Sequence, residues 1–335
     1  MRILSGMRST GYLHLGNYVG ALKNWVELQS EFDAFYMVAD LHGLTSSPTV
    51  FKEQANDYIY NMIVDWVAAG LDPRKSVLFL QSDVAEHSEL FALLSMITPV
   101  SWCERNPTFK EQKEELSGKD VDNMGFLGYP VLQAADIVLY QADRVPVGKD
   151  QLPHLEITRE IVRRFNFLYN TGVLKEPEPI LGKVTKLNGL DGRKMSKSYD
   201  NAIYLRDDEE TMRKKVMSMV TDVKRIKRND PGHPDECNLF PYYLAFSSDQ
   251  NLIDGVRSDC ESAAVGCVDC KKKLIETMKA YFEDFYKKRS EFATRKDMVN
   301  DIMRDGAIRA GKAARETMEL VREAIGLNSK NRYLG

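Results

Sequence analysis

The sequence predicts an α/β protein: a doubly wound parallel sheet covered by helices, followed by a mostly α-helical region. Two observations predict it. Strand-sized apolar runs alternate with amphipathic helical runs through the first half of the chain, the βαβα rhythm of a parallel sheet. Beyond Arg193 strand signals nearly vanish and long helical stretches take over.

Each element has its own signal. Arg2 to Leu4 is a short strand, followed by the loop Ser5 to Thr10. A helix begins near Asn17, with Tyr18, Leu22, Trp25 and Val26 on one face. Phe35 to Ala39 is a second strand. Phe51 to Ala69 is a long helix stopped by Gly70 and the Asp-Pro beyond it. Val77 to Leu80 is a third strand, Ser88 to Ile97 a helix, Tyr129 to Gln141 a buried helix, Val145 to Val147 a strand, and Leu152 to Phe165 a helix. Gly172 to Arg193, rich in Gly, Pro and charge, reads as a connection. Glu209 to Val220, Lys271 to Lys288 and Met298 to Ile325 read as helices. In doubly wound folds ligands bind at the carboxyl ends of the strands, so the loops after Leu4, Ala39 and Val147 are expected to share one cleft.

Composition narrows the function classes. The chain of 335 residues is 43% hydrophobic and 28% charged, with a formal net charge of −3, ordinary globular values. A nucleic-acid partner would have to be met by a local basic surface. The N-terminal residues lack the basic-then-apolar pattern of a signal peptide, and no apolar stretch approaches the roughly 20 residues of a membrane span. The expectation is a cytoplasmic protein with no membrane contact.

Two short motifs carry candidate chemistry. In Gly11-Tyr-Leu-His14-Leu-Gly16-Asn17, glycines bracket a strand-to-helix turn where backbone can approach a ligand. The helix behind it offers N–H groups to an anion, and His14 and Asn17 add side-chain donors. Lys194-Met195-Ser196-Lys197-Ser198 follows a glycine-containing loop and can set two ammonium groups on a polyphosphate. Taken singly, the first could be a plain βα turn and the second a solvated basic loop. A third feature is Asp136, a carboxylate in the otherwise apolar run Tyr129 to Tyr140. Burying it is costly unless something donates to it. An indole N–H is a donor only and suits it as a partner, whereas a phenylalanine ring would leave it unpaired. Protein donors could equally satisfy it. His87 and His233 read as surface or capping residues, and Trp25, Trp66 and Trp102 as core or interface.

Together the two motifs, in this order, resemble the paired signatures of class I aminoacyl-tRNA synthetases. The run from Tyr129 to Tyr140, with Val145-Pro-Val-Gly148-Lys149-Asp150-Gln151-Leu-Pro-His154, is similar to the core of the tryptophanyl members. Asn17 stands where the wider family usually has histidine and the tryptophanyl members often have asparagine. The resemblance covers essentially the whole chain. It implies a Rossmann-like catalytic domain over 1–190. It places the Lys-Met-Ser-Lys-Ser loop, a helical anticodon-binding domain and the four-cysteine site over 191–335. It implies activation of L-tryptophan by ATP, with Mg²⁺ assisting, then transfer to the 3′ end of tRNA(Trp). His14, Asn17, Lys194 and Lys197 would be catalytic. The ATP site would add Arg8, Ser9, Thr10 and Gly16 from the first loop, and Gly148, Lys149 and Asp150 from the second. Leu187, Met195, Ser196 and Ser198 would complete it. Tryptophan would meet Asp136 at its indole nitrogen, His42 beside its ring, Gln151 near its amino group, and Tyr129 and Gln133. Arg8 stands where the family often has glutamine. Gln133 stands where many members have methionine and tyrosyl enzymes can have glutamine. A homodimer spanned by one tRNA is also implied. Two other readings are a tyrosyl-tRNA synthetase and a non-catalytic tRNA-binding paralogue, whose expected mark would be loss of His14, Lys194 and Lys197.

Cys103 stands alone, whereas Cys237, Cys260, Cys267 and Cys270 are grouped. In a cytosolic chain such a group points to metal or redox chemistry rather than disulfides. Four thiolates can hold Zn²⁺ or a [4Fe–4S] cluster, and free buried cysteines are the third option. Only one Cys-x2-Cys pair is present, irregular for a zinc ribbon. The pattern resembles that of the tryptophanyl-tRNA synthetases that carry a C-terminal [4Fe–4S] cluster. The neighbouring runs Lys271-Lys-Lys273 and Lys224-Arg-Ile-Lys-Arg228 could contact phosphates if folded onto one face, or be solvated helix faces.

Overall fold

The computed structural model describes residues 1–45, 48–106, 123–182 and 186–327, without the side chains of residues 48–51, Asp150 and Ser198. The parallel strands are β1 (Arg2–Arg8), β2 (Asp33–Ala39), β3 (Val77–Leu80), β4 (Arg144–Val147) and β5 (Glu178–Leu181), in the order β3-β2-β1-β4-β5. The chain runs outward from β1 to β3 and then returns to the other side of β1. That reversal opens a crevice between the carboxyl ends of β1 and β4, where doubly wound folds hold ligands.

Alternation along β2 builds a core on both faces of the sheet. Ala34, Tyr36 and Val38 enter one apolar cluster, while Phe35, Met37 and Ala39 enter the other. Trp25 stacks on Tyr36 at 4.7 Å between ring centroids and meets Trp66 edge-on, and the Tyr36 hydroxyl donates to the Trp25 carbonyl at 2.9 Å.

The helices that cover this sheet begin with α1, a single turn (Leu15–Asn17), a π-turn (Tyr18–Leu22) and a regular stretch (Lys23–Leu28). Then come α2 (Asp40–Leu44), α3 (Pro48–Ala69), α4 (Glu86–Ser95), α5 (Val100–Glu104), α6 (Met124–Leu139) and α7 (Leu152–Leu168). The later part is helical: α8 (Glu209–Ser218), α9 (Phe240–Phe246), α10 (Gln250–Glu261), α11 (Cys267–Ala293) and α12 (Lys296–Ala324). Among the described residues no helix is long and apolar enough to cross a membrane.

Most expected elements lie within a few residues of their predicted ends. The expected loop Ser5 to Thr10 is instead strand as far as Arg8, α2, α5, α9 and α10 had no predicted counterpart, and β5 falls in the stretch Gly172 to Arg193 read as a connection. Pro179 and the charges around it hide the strand signal. Proline is tolerated there because β5 is an edge strand, paired only with β4.

The last helices return to the sheet. Arg289 on α11 donates to Asp65 on α3 at 2.7 Å, an ion pair with both side chains largely buried. On α12, Gly306 lies directly on β3. A Cβ added there would sit 1.7 Å from the Leu78 carbonyl oxygen, so the helix can approach the strand this closely only at glycine. Gly306→Ala should therefore lower stability by about 2 kcal/mol or more, as overpacking against backbone does. Urea unfolding followed by circular dichroism measures it, and an unchanged midpoint would rule out the close contact.

Candidate active site

The first candidate motif lies in the crevice. His14 is extended and caps α1. Its Nδ1 accepts from the Asn17 backbone N–H at 3.2 Å, and the Asn17 side-chain oxygen accepts from the His14 N–H at 3.1 Å. Occupation of Nδ1 leaves the ring proton of the neutral imidazole on Nε2. Burial, then the charge of Lys197, lowers the His14 pKa to about 4, so the ring is neutral near pH 7.

The free N–H groups expected at this helix end are largely taken. Leu15 N–H donates to Ile203 O at 2.9 Å, and Asn17 N–H to His14 O at 2.9 Å. The helix starts at Leu15, two residues before the predicted position, and the cap and the 203–205 segment use its first donors. Phosphate recognition here therefore falls mainly to side chains.

The second motif closes on the first. The Lys197 side chain lies against Gly11, which has φ +145°. The positive φ favours glycine, and a Cβ there would be 2.9 Å from Lys197 Cδ and 3.0 Å from its Nζ, so a larger residue would also shift the end of this lysine. Met195 is buried and its sulfur faces Gly16. The loop is held in place by Asn201, which accepts from Ser196 N–H at 2.9 Å and donates to Asp191 at 2.8 Å and to Lys194 O at 3.2 Å. Leu15 and Leu205 then bond the two segments together through backbone. Burial first, and then the charge of Arg8, brings the Lys197 pKa down to about 8. Arg8 also bears on Tyr129 through its charge. Lys194, by contrast, is exposed.

The remaining candidates occupy four places. Ser9 is fully buried, its hydroxyl without a partner among the described residues; Thr10 shares its loop and Gly16 lies in the first turn of α1. Gly148 ends β4, with Lys149 exposed after it; the side chains of Asp150 and Ser198 lie outside the described set. Leu187 is buried in the core beside Met195. Tyr129, His154 and Gln151 form a chain: the Tyr129 hydroxyl lies 2.8 Å from His154 Nε2, and His154 Nδ1 lies 3.0 Å from Gln151 Oε1.

Asp136 on α6 is 2% exposed. It meets His42 Nε2 from α2 at 2.9 Å, Gln81 Nε2 from the end of β3 at 2.8 and 3.0 Å, and His87 Nδ1 from α4 at 2.6 Å. Burial opposes its ionisation. The charge of His87 and the hydrogen bonds from His42 and His87 overcome that, holding the carboxyl at about 2. Gln133 is half-buried on the same helix. His87 corrects the sequence reading: it is fully buried rather than at the surface, because its two nitrogens bond Asp136 and the Tyr140 hydroxyl. His233 is a partly exposed loop residue bonded to Asp222.

The four grouped cysteines come from two helices and a loop. Cys237 precedes α9, Cys260 lies on α10, and Cys267 and Cys270 begin α11. All are free thiols and half-buried. Burial pushes the Cys270 thiol up to about 11, and Cys237, Cys260 and Cys267 add to the effect, so the four sulfurs share one locality. Gly232 packs against it: a Cβ there would be 2.4 Å from Cys260 Sγ. Among the described residues no three His, Cys, Asp or Glu groups converge closely enough to hold a single ion. The basic runs beside them are partly spent on the protein. Lys271 donates to Met217 O at 2.8 Å and Lys224 to Glu236 at 2.7 Å.

Known proteins match this arrangement along nearly the whole chain. The family described as tRNA synthetases class I (W and Y) matches residues 1–283. The tryptophan–tRNA ligase of Thermotoga maritima is 48% identical, over 98% of this chain and 99% of that protein. The tryptophan–tRNA ligase of Aquifex aeolicus is 40% identical, over 98% of this chain and all of its own length. Among solved structures, the tryptophanyl-tRNA synthetase of Campylobacter jejuni, complexed with ADP and tryptophan, superposes with a TM-score of 0.86 at 35% identity, covering 98% of this chain and 100% of that one.

The lowered Lys197 pKa predicts how nucleotide capture responds to pH. The group is a cation below about 8 and neutral above it. Its attraction for an anion is therefore present at neutral pH and lost as pH rises. The kcat/KM for ATP, which reports the free protein's groups, should fall through a step near pH 8. Lys197→Arg should move the step out of range, and a wild-type profile flat from pH 7 to 9 would exclude the assignment.

Proposed function

The chain belongs to the class I tRNA synthetases of tryptophan and tyrosine, and from that premise we infer that it activates L-tryptophan with ATP and loads it onto tRNA(Trp). Relatives between 38% and 48% identical over nearly the full length are tryptophan–tRNA ligases. One observation carries the reading for this chain: Lys197 packed on Gly11 beside a neutral His14, at the crevice between β1 and β4.

In the first step a tryptophan carboxylate oxygen attacks the α-phosphorus of ATP. A P–O bond forms to the carboxylate as the bond to the bridging oxygen breaks, and pyrophosphate leaves with that electron pair. No covalent enzyme intermediate is needed, so catalysis is positioning and charge stabilisation. His14 donates Nε2–H to a phosphate oxygen without adding charge. The Asn17 side-chain amide N–H₂ remains available to a phosphate because its oxygen is used in the cap. Lys197, with Arg8 near it, meets the negative charge that grows on the departing pyrophosphate. Lys194, exposed on the same loop, joins when the loop closes. Mg²⁺ supplies further charge neutralisation on the phosphates when bound. In the second step the mixed anhydride passes its acyl group to a ribose hydroxyl at the 3′ end of the tRNA, and AMP leaves.

The amino-acid cavity follows from Asp136, which accepts the indole N–H. His42 flanks the ring, Gln151 faces the amino group, and Tyr129 and Gln133 line the approach. The ATP side adds Ser9, Thr10, Gly148, Lys149, Asp150, Leu187 and the backbone of Met195 to Ser198. The same reading divides catalysis and tRNA recognition near residue 190, pairs two copies of the chain, and places it in the cytoplasm.

Cys237, Cys260, Cys267 and Cys270 would hold a [4Fe–4S] cluster. The donor set suits it in number and chemistry: four half-buried free thiols from two helices and a loop. The group lies among α9, α10 and α11, and bracing those helices is the role it fits, with Lys272 and Arg228 beside it for tRNA phosphates.

Purified protein should exchange pyrophosphate into ATP with tryptophan and not with tyrosine, and absence of tryptophan-driven exchange would overturn the assignment. Lys197→Ala should slow that exchange by roughly 100-fold, the effect of losing one donor that acts on the transition state; a rate near wild type would remove its role. Cys267→Ser should lose iron and sulfide from anaerobically purified protein and weaken tRNA charging while leaving exchange intact. Equal loss of both steps would count against the bracing role.

A further inference from the structure

We propose that His87 sets the preference of the amino-acid cavity for an indole N–H: it is a positioning residue that acts through Asp136, with its far nitrogen held by Tyr140. This rests on the reading above that Asp136 receives the indole nitrogen.

The geometry is a relay of two fixed hydrogen bonds. The Tyr140 hydroxyl lies 2.8 Å from His87 Nε2, and His87 Nδ1 lies 2.6 Å from Asp136 Oδ1. Tyr140 is fully buried. The ionised Asp136 carboxylate can only accept, so His87 Nδ1 carries a proton and donates to it, while the Tyr140 hydroxyl holds Nε2. With the ring neutral or carrying both protons, Nδ1 donates to Asp136. Either way one oxygen of the carboxylate is held from behind.

His87 is also the donor that cannot move aside. It is fully buried, stacked on Phe79 at 6.1 Å between centroids and packed against the Tyr140 ring at 5.4 Å. Gln81 is different. Its amide nitrogen bridges both carboxylate oxygens at 2.8 and 3.0 Å, while its own oxygen is buried without a partner among the described residues. A carboxylate oxygen accepts about two hydrogen bonds. Oδ1 is filled by His87 and Gln81, and Oδ2 by His42 and Gln81. An arriving N–H must displace one donor, and Gln81, sharing one nitrogen between two oxygens, is the replaceable one. His87 then determines which way the carboxylate plane faces when Gln81 yields.

The test compares tryptophan with the amino acid in which sulfur replaces the indole N–H (a benzothiophene side chain), by pyrophosphate exchange. Wild type should prefer tryptophan. In His87→Leu that preference, as a ratio of kcat/KM values, should fall about tenfold or more, the worth of a hydrogen bond to a charged group. The rise should lie in the KM for tryptophan, with kcat and the KM for ATP little changed. His87→Asn, which returns an N–H near the Nδ1 position, should restore most of the preference. Tyr140→Phe removes one oxygen from the relay and should lower the ratio partway, so it decides the matter if His87→Leu does not fold. An unmoved ratio in either folded variant overturns the proposal. An equal loss toward both amino acids, the mark of a merely structural role, also overturns it. Wild-type protein inactive with tryptophan would overturn the functional reading and this inference with it, whereas active wild type with an unmoved ratio overturns this inference alone.

Discussion

A carboxylate kept ionised inside the protein is the constraint on which the amino-acid side of the site depends. Asp136 is almost wholly out of water, and an isolated charge there would be too costly to persist. It persists because three separate elements bring donors to the helix α6 that carries it: His42 from α2, Gln81 from the end of β3 and His87 from α4. Each of those elements is placed by the sheet, so the charge and the fold specify one another. Removing any donor leaves a buried acceptor short of partners, and removing Asp136 leaves three donors facing nothing.

The nucleotide side gathers the opposite charge. Burial and the nearby charge of Arg8 both disfavour the cationic form of Lys197. His14 adds no further charge, because it stays neutral. On the proposed reading a phosphate chain would favour the charged form of the lysine. Gly11 leaves space for the end of Lys197, which a larger residue there would shift. Asn201 then holds the loop so that the lysine returns to the same place.

How much of this could be read in the sequence follows from the range of each signal. Most strands and helices of the first half were legible because their patterns are local, whereas the pairing of Gly11 to Asn17 with Lys194 to Ser198 was legible only through the family resemblance, since each motif alone also fits a plain turn or a solvated loop. The edge strand β5 was not, because Pro179 and neighbouring charges give the local composition of a loop while pairing with β4 supplies the order. His87 was not legible either. It stands in an ordinary amphipathic stretch, and its partners, Asp136 and Tyr140, are far along the chain. A lone histidine shows nothing of whether a distant carboxylate will meet it. Lys271 misled in the other direction: in a run of three lysines it looks solvated, yet it is tied to the Met217 carbonyl.

The two halves of the site also differ in how they tolerate change, and the reason is dielectric. Around Asp136 every partner is buried, so a lost hydrogen bond is felt at nearly full strength and cannot be replaced by water. Around Lys194 the side chain is exposed, and water can stand in for a missing contact until the loop closes. On the proposed reading amino-acid choice is thus set by a buried hydrogen-bond network, and phosphate chemistry by charges at the crevice. The two parts are then separable, because the bonds that hold the loop at Asn201 and those that hold Asp136 share no donor.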